Sequence, residues 1–88
     1  LKTITMKIYI LNHYVGGVPF DGHTIGVYKT LEQAQEELKR SIKTFGYDEF
    51  ENDEDKGEIN ITDTSWYVDD WDTDFFGGCA IQEMEINN

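Results

Sequence analysis

Hydrophobic and polar positions alternate from the start of the chain. Ile4, Met6, Ile8 and Ile10 share one parity; Thr5, Lys7, Tyr9 and Leu11 share the other. A period of two over eight residues predicts a half-buried strand whose even-numbered face is the apolar one. Between His13 and His23 the pattern breaks at Gly16, Gly17, Pro19 and Gly22, residues suited to turns. Both histidines flank this stretch and read as polar surface groups. Thr24–Lys29 predicts a second strand with Ile25 and Val27 inward. A connection of about ten residues suits an antiparallel pair joined by more than a tight turn.

The period then changes. Leu31, Ala34, Leu38, Ile42 and Phe45 recur at spacings of three and four, which predicts an amphipathic helix over 31–45. Thr30 is placed to accept from the first turn, with Gln33 completing a capping box. Glu36 and Arg40 form an i,i+4 pair in the favourable order. Lys39, Arg40 and Lys43 suit the negative end of the helix dipole, and Gly46 suits its left-handed stop.

Residues 47–58 predict an acidic loop or irregular turn. Ile59 and Ile61 suggest a brief strand, and Trp66 to Val68 extend it or begin another. The segment 68–78, VDDWDTDFFGG, is acidic and aromatic together, and 79–86 reads as the last strand. Its phase is mixed: Ile81 lies on one face and Met84 and Ile86 on the other, which a bulge near Gln82 would reconcile. The expected fold is α+β: a small, mainly antiparallel sheet of three to four strands with one amphipathic helix packed on one face.

Eighty-eight residues suit a single domain over 1–88, with 47–78 read as an acidic–aromatic insertion. Met6 resembles a natural start, so residues 1–5 read as an upstream extension or a cloning remnant. A chain this short buries only about 60–65% of its unfolded surface. Five Phe, five Tyr and two Trp supply large burial per side chain, so the composition favours folding.

Charge changes the picture most. Eighteen acids against seven bases give a formal net charge of −11. Residues 1–43 carry four acids and six bases, net +2; residues 44–88 carry fourteen acids and one base, Lys56, net −13. Such a field repels nucleic acid and anionic membrane, and attracts cations and basic surfaces. The single cysteine, Cys79, allows no internal disulfide. No apolar run approaches the roughly 20 residues of a membrane span. The expected setting is the cytoplasm of a bacterial host cell, where the sequon Asn60-Ile61-Thr62 has no role.

The stretches IYILNHY (8–14), IGVYKTLEQAQEEL (25–38) and IQEMEI (81–86) resemble a family of short bacterial and phage proteins of unknown function. The resemblance covers about half of the chain. It implies a strand, strand, helix, terminal-strand order and supplies no catalytic residues. The chain departs from that pattern between Tyr47 and Gly78, where most of its negative charge lies. In size and acidity it also resembles small phage anti-defence proteins of the anti-CRISPR and DNA-mimic kind.

The residues fit several catalytic and metal-binding chemistries poorly. A calcium loop centred on Gly57 would put Lys56 on a ligand position and Asp63 in place of the closing Glu. The alternation Asp70, Asp72, Asp74 puts Phe75 where such a loop needs glycine. Asp72-Thr73-Asp74 as a phosphotransfer nucleophile lacks both a glycine-rich cradle and cations. Cys79 with His13 or His23 has no local signature of a nucleophile–base pair, and a lone cysteine is usually a small buried hydrophobe. Three bases on the helix are too few for a nucleic-acid footprint.

The acidic–aromatic segments remain. Asp48, Glu49, Glu51, Asp53, Glu54 and Asp55 form one cluster; Asp69, Asp70, Asp72 and Asp74, with Trp71 among them, form the second. Solubility of a small domain needs a net charge of only about 2–8. Carboxylates interleaved with rings suit an Arg-rich partner. The plainer reading of Phe50, Trp66, Phe75 and Phe76 is as core anchors. The sequence therefore predicts no catalytic residues, cofactor or metal. It predicts a monomer or weak homodimer that inhibits a basic nucleic-acid-binding protein, such as a nuclease effector, by charge mimicry through these eleven residues. The alternatives are an immunity or antitoxin protein that neutralises a basic toxin, a calcium-binding domain and a housekeeping domain.

Overall fold

A computed structural model describes residues 5–16 and 21–87. The strands are β1 (Thr5–Val15), β2 (Asp21–Tyr28), β3 (Gly57–Ile61), β4 (Ser65–Asp70) and β5 (Phe75–Asn87). The helix α1 (Leu31–Thr44) follows β2, and a short 3-10 turn spans Tyr47–Glu49. The strands form one sheet in the order β2-β1-β5-β4-β3, and every neighbouring pair is antiparallel. The α+β class and the antiparallel sheet are as expected, with five strands instead of three or four.

The helix forms for the local reasons the sequence offers. Thr30 is extended, and its Oγ1 accepts from the Gln33 backbone N–H at 3.2 Å. Gly46, with φ 78°, turns the chain out of the helix. Ala34, Leu38 and Ile42 are buried as the stripe requires. Two details differ. Phe45 caps the helix and stays 42% exposed, lying flat on His13 rather than entering the core. Arg40 pairs with Glu37 at 3.0 Å rather than with Glu36, because one turn of helix brings both the third and fourth residues within reach.

The sheet corrects the expected phases. Leu11 on β1, Val68 on β4 and Cys79 on β5 meet Leu38, Ile42 and Tyr47 in the core. Side chains alternate along a strand, so the odd-numbered positions of β1 face the helix. Met6, Ile8 and Ile10 face away from it, opposite to the expected burial. Ile4 and the rest of 1–4 lie outside the described residues, as do Gly17 and Pro19. In β2 the register slips between Leu11 and Asn12, so Ile25 is a bulge residue that reaches the core while Val27 turns outward, 57% exposed. β5 runs from Val15↔Gly77 to Thr5↔Asn87 in unbroken register with β1. It has no bulge near Gln82: Ile81 serves the helix side and Met84 and Ile86 the other, and both are genuine positions of one straight strand.

β5 also begins earlier than expected, because Phe75–Gly78 belong to the strand and not to a loop. A Cβ on Gly77 would lie 2.7 Å from the Tyr47 hydroxyl, and one on Gly78 would lie 2.7 Å from the Tyr67 ring. These glycines therefore let large side chains lie against the strand from either side. The stretch read as an insertion supplies β3, β4 and the start of β5, and Tyr47 and Val68 to the core.

At 1.5 Å per residue α1 is about 21 Å long, whereas thirteen residues of β5 extend about 43 Å. The helix therefore covers only part of the β1–β5 ladder, and the rest projects as a two-stranded ribbon. The molecule measures 58 × 26 × 20 Å, with a radius of gyration of 15.3 Å, against about 12 Å for a compact chain of this length.

Candidate functional site

The acidic segments lie at the end of the sheet opposite the ribbon. After Gly46, the 3-10 turn buries Tyr47 and exposes Asp48 and Glu49. Phe50 then packs against Phe75, with ring centroids 6.1 Å apart. Asn52 Oδ1 accepts from the Ile59 backbone N–H at 2.7 Å, and Asp53 Oδ1 accepts from that of Asp55 at 2.9 Å. Asp53 and Gly57 exchange backbone hydrogen bonds, both 2.9 Å, which closes a tight turn around Lys56.

The second segment is a turn between β4 and β5. Asp70 Oδ1 accepts from the backbone N–H groups of Asp72 and Thr73, at 3.1 and 3.3 Å. Asp74 has φ 61°, a left-handed conformation that Asp tolerates better than most residues. The Asp72 N–H donates to the Lys56 carbonyl at 3.2 Å and so ties this turn to the first segment.

Between the two segments lies a cleft of about 340 Å3. Phe50 and Val68 contribute apolar wall. Glu49, Glu51, Asp53, Glu58, Asp69, Asp70 and Asp72 supply seven carboxylates, and Lys56 is its one basic residue. A shallower depression beside it is lined by Asp53, Glu54, Glu58 and Trp71, whose ring is 46% exposed. The two clusters singled out in the sequence thus share one surface. Glu49, Glu51, Asp53, Asp69, Asp70 and Asp72 line the cleft, and Glu54 and Trp71 line the depression. Asp48, Asp55 and Asp74 are exposed nearby and line neither.

Glu58 was missed by the sequence reading. It sits on β3 directly opposite Asp69 on β4, and like charges facing across a ladder are destabilising. The pairing register carries that information, and a single sequence does not reveal it. The aromatic residues divide: Phe50, Trp66 and Phe75 pack on the core, Phe76 lies half-buried on the opposite sheet face stacked on Tyr67, and Trp71 is left to solvent.

His13 differs most from expectation. Both histidines lie in strands, and His23 is exposed as a surface group should be, but His13 is only 6% exposed. His13 Nε2 and the Tyr47 hydroxyl are 2.7 Å apart. Phe45 stacks on the His13 ring at 4.0 Å, and His23 meets it edge-on at 5.0 Å. Burial, and secondarily His23, lower the His13 pKa. Cys79 lies across the ladder from His13, fully buried. Burial pushes its thiol up to about 11, the reverse of the shift an attacking thiolate needs. Among the described residues, no three His, Cys, Asp or Glu side chains are grouped to hold a metal ion.

No protein-family model, curated protein or solved structure matches the chain. No helix among the described residues is long and apolar enough to cross a membrane.

Proposed function

We propose that this chain is an acidic inhibitor that seats its cleft on the cationic, nucleic-acid-binding surface of another protein. The observation that carries the reading is the gathering of seven carboxylates around one lysine in a 340 Å3 cleft, Glu58 and Asp69 directly opposed among them. Self-repulsion of that kind costs folding free energy, and a cationic partner relieves it. Local structure accounts for only part of the acidity: Asp53 and Asp70 hold turns, whereas Glu49, Glu51 and Asp72 are exposed. The resemblance to short phage proteins gives the reading its setting, a phage-encoded anti-defence protein of the anti-CRISPR or anti-restriction type.

The test is affinity capture from a bacterial host lysate with graded salt elution, followed by competition of duplex DNA for whatever is captured. The triple variant Glu49→Lys, Glu51→Lys, Asp72→Lys leaves both turn-holding aspartates in place. It is expected to weaken association at least tenfold, since reversal replaces attraction with repulsion at a steered interface. Glu32→Lys with Glu36→Lys on the exposed side of α1 serves as the control and should change little. A partner held equally well from about 0.05 to 0.5 M salt sinks the proposal, because contacts made by these carboxylates must be screened.

A further inference from the structure

Among the described residues the buried polar side chains are His13 and Ser41, and of these only His13 titrates. It lies on β1, which is paired along both flanks at this point, with His23 on β2 and Cys79 on β5. The strand beneath the ring is therefore fixed, and the layer laid over the ring is what can move. That layer is two aromatic rings on either side of Gly46. Phe45 stacks on the imidazole, and the Tyr47 hydroxyl meets Nε2 at 2.7 Å. Tyr47 reaches this point across Gly77, where a Cβ would lie 2.7 Å from its hydroxyl. Gly46 holds a left-handed φ of 78°, so helix and 3-10 turn meet at a glycine hinge. The turn beyond it is lightly held: the Glu49 and Phe50 N–H groups bond back to the Gly46 and Tyr47 carbonyls at 3.2 and 3.4 Å, at or past the long end of the range for such bonds. Asn52 and Asp53 pin the chain to β3 only after that.

This site suits a neutral ring. The Tyr47 hydroxyl can donate to Nε2 or accept from it, so that contact serves either charge state. Nδ1 is buried with no hydrogen-bond partner among the described residues. A second ring proton therefore makes a buried cation with a donor that nothing accepts, which is costly. The groups around it offer no compensation. His23 on β2 meets the ring at 5.0 Å and can add only positive charge. Cys79 on β5 stays a neutral thiol, its pKa pushed up by burial to about 11, and burial likewise keeps the Tyr47 phenol neutral. The end of α1 presents Phe45, with Lys43 exposed in its last turn. The Ser41 and Lys43 carbonyls, which could reward a cation there, already accept from the N–H groups of Phe45 and Gly46. The ion pairs among the described residues, Lys7–Glu83 and Arg40–Glu37, do not involve His13.

We propose that His13 and its cover of Phe45 and Tyr47 form an acid-released latch, which lays residues 45–51 on the sheet while the ring is neutral and lets them swing out about Gly46 when it takes a proton. Once open, the ring titrates at its ordinary 6.5. Between about pH 7.5 and about pH 5 opening then becomes about thirtyfold more frequent, less whatever protonation the closed ring accepts. Glu49, Phe50 and Glu51 belong both to the moving stretch and to the wall of the acidic cleft. Acid therefore dismantles that wall and releases the partner, a consequence that rests on the cleft being the binding surface proposed above, whereas the latch itself does not.

NMR of the full chain over that pH window, with no partner present, reads the latch directly. The Phe45 and Tyr47 ring signals should move to the positions of unpacked rings along the titration curve of the His13 ring protons. Exchange of the Phe50 amide, corrected for its intrinsic rate, should rise about tenfold, while the amides of β4 and β5 keep their protection. His13→Phe should hold both rings in place at every pH, and His23→Gln should leave the latch working. The wild-type titration decides the matter even where a variant folds poorly. A His13 that titrates with both rings unmoved, or that takes no proton above about pH 5, would overturn the proposal. So would ring movements that persist in His13→Phe, or loss of β4 and β5 protection in the same step. None of these signals needs a partner, so failure of the capture experiment and failure of the latch are told apart.

Discussion

His13 stands where strand, helix end and 3-10 turn converge. Phe45 stacks on one face of its ring, its Nε2 meets the Tyr47 hydroxyl, and its Nδ1 is buried with no hydrogen-bond partner among the described residues. Such a site favours the neutral imidazole, so its pKa is lowered below the ordinary 6.5. In the unfolded chain the same ring takes up a proton at its ordinary pKa. Between that value and the lower folded one the unfolded state binds more protons, so stability falls as pH falls from about 7 toward 5. His13→Phe keeps the stack and removes the titration. Urea melts across that window should show a flatter pH dependence for the variant than for the wild type. Equal slopes would place the proton uptake elsewhere.

At the level of elements, the helix was legible and the strands only partly so. A helix announces itself locally: the stripe, Thr30 and Gly46 all lie within seventeen residues of sequence, Thr30 to Gly46. Thr30→Ala removes the acceptor for Gln33 and should cost about 1 kcal/mol, measurable by chemical denaturation with an unchanged m-value. A loss below about 0.3 kcal/mol would mean that packing of Leu38 and Ile42 alone holds the helix start. Strand phase is set by what packs on the sheet. β1 has apolar residues on both parities, so alternation could not say which side the helix would choose. Phe75–Gly78 looked like a loop because glycine pairs usually are, yet here glycine makes room for Tyr47 and Tyr67. The acidic site was legible as two clusters, since carboxylate density is a property of composition. Glu58 and the His13–Tyr47 contact depend on register and on pairings across the fold, which a single sequence does not display.

The whole molecule is a charged, elongated body with its acids concentrated at one end. Self-repulsion of a −11 chain opposes compaction, so raising salt from about 20 to about 200 mM should raise the melting temperature. A fall instead would show that ion pairs such as Arg40–Glu37 outweigh the repulsion. The order of the strands bears on how such a body is made. Its central ladder joins the first strand to the last, from Val15 with Gly77 out to Thr5 with Asn87. The hairpins β1–β2 and β3–β4 are local and can close as soon as they are synthesised. They share no edge until β5 enters between β1 and β4. On the ribosome, β1 is therefore held with one flank unpaired until β5 has emerged. β5 unites two half-sheets, and assembly of the core waits on the contacts most distant in sequence.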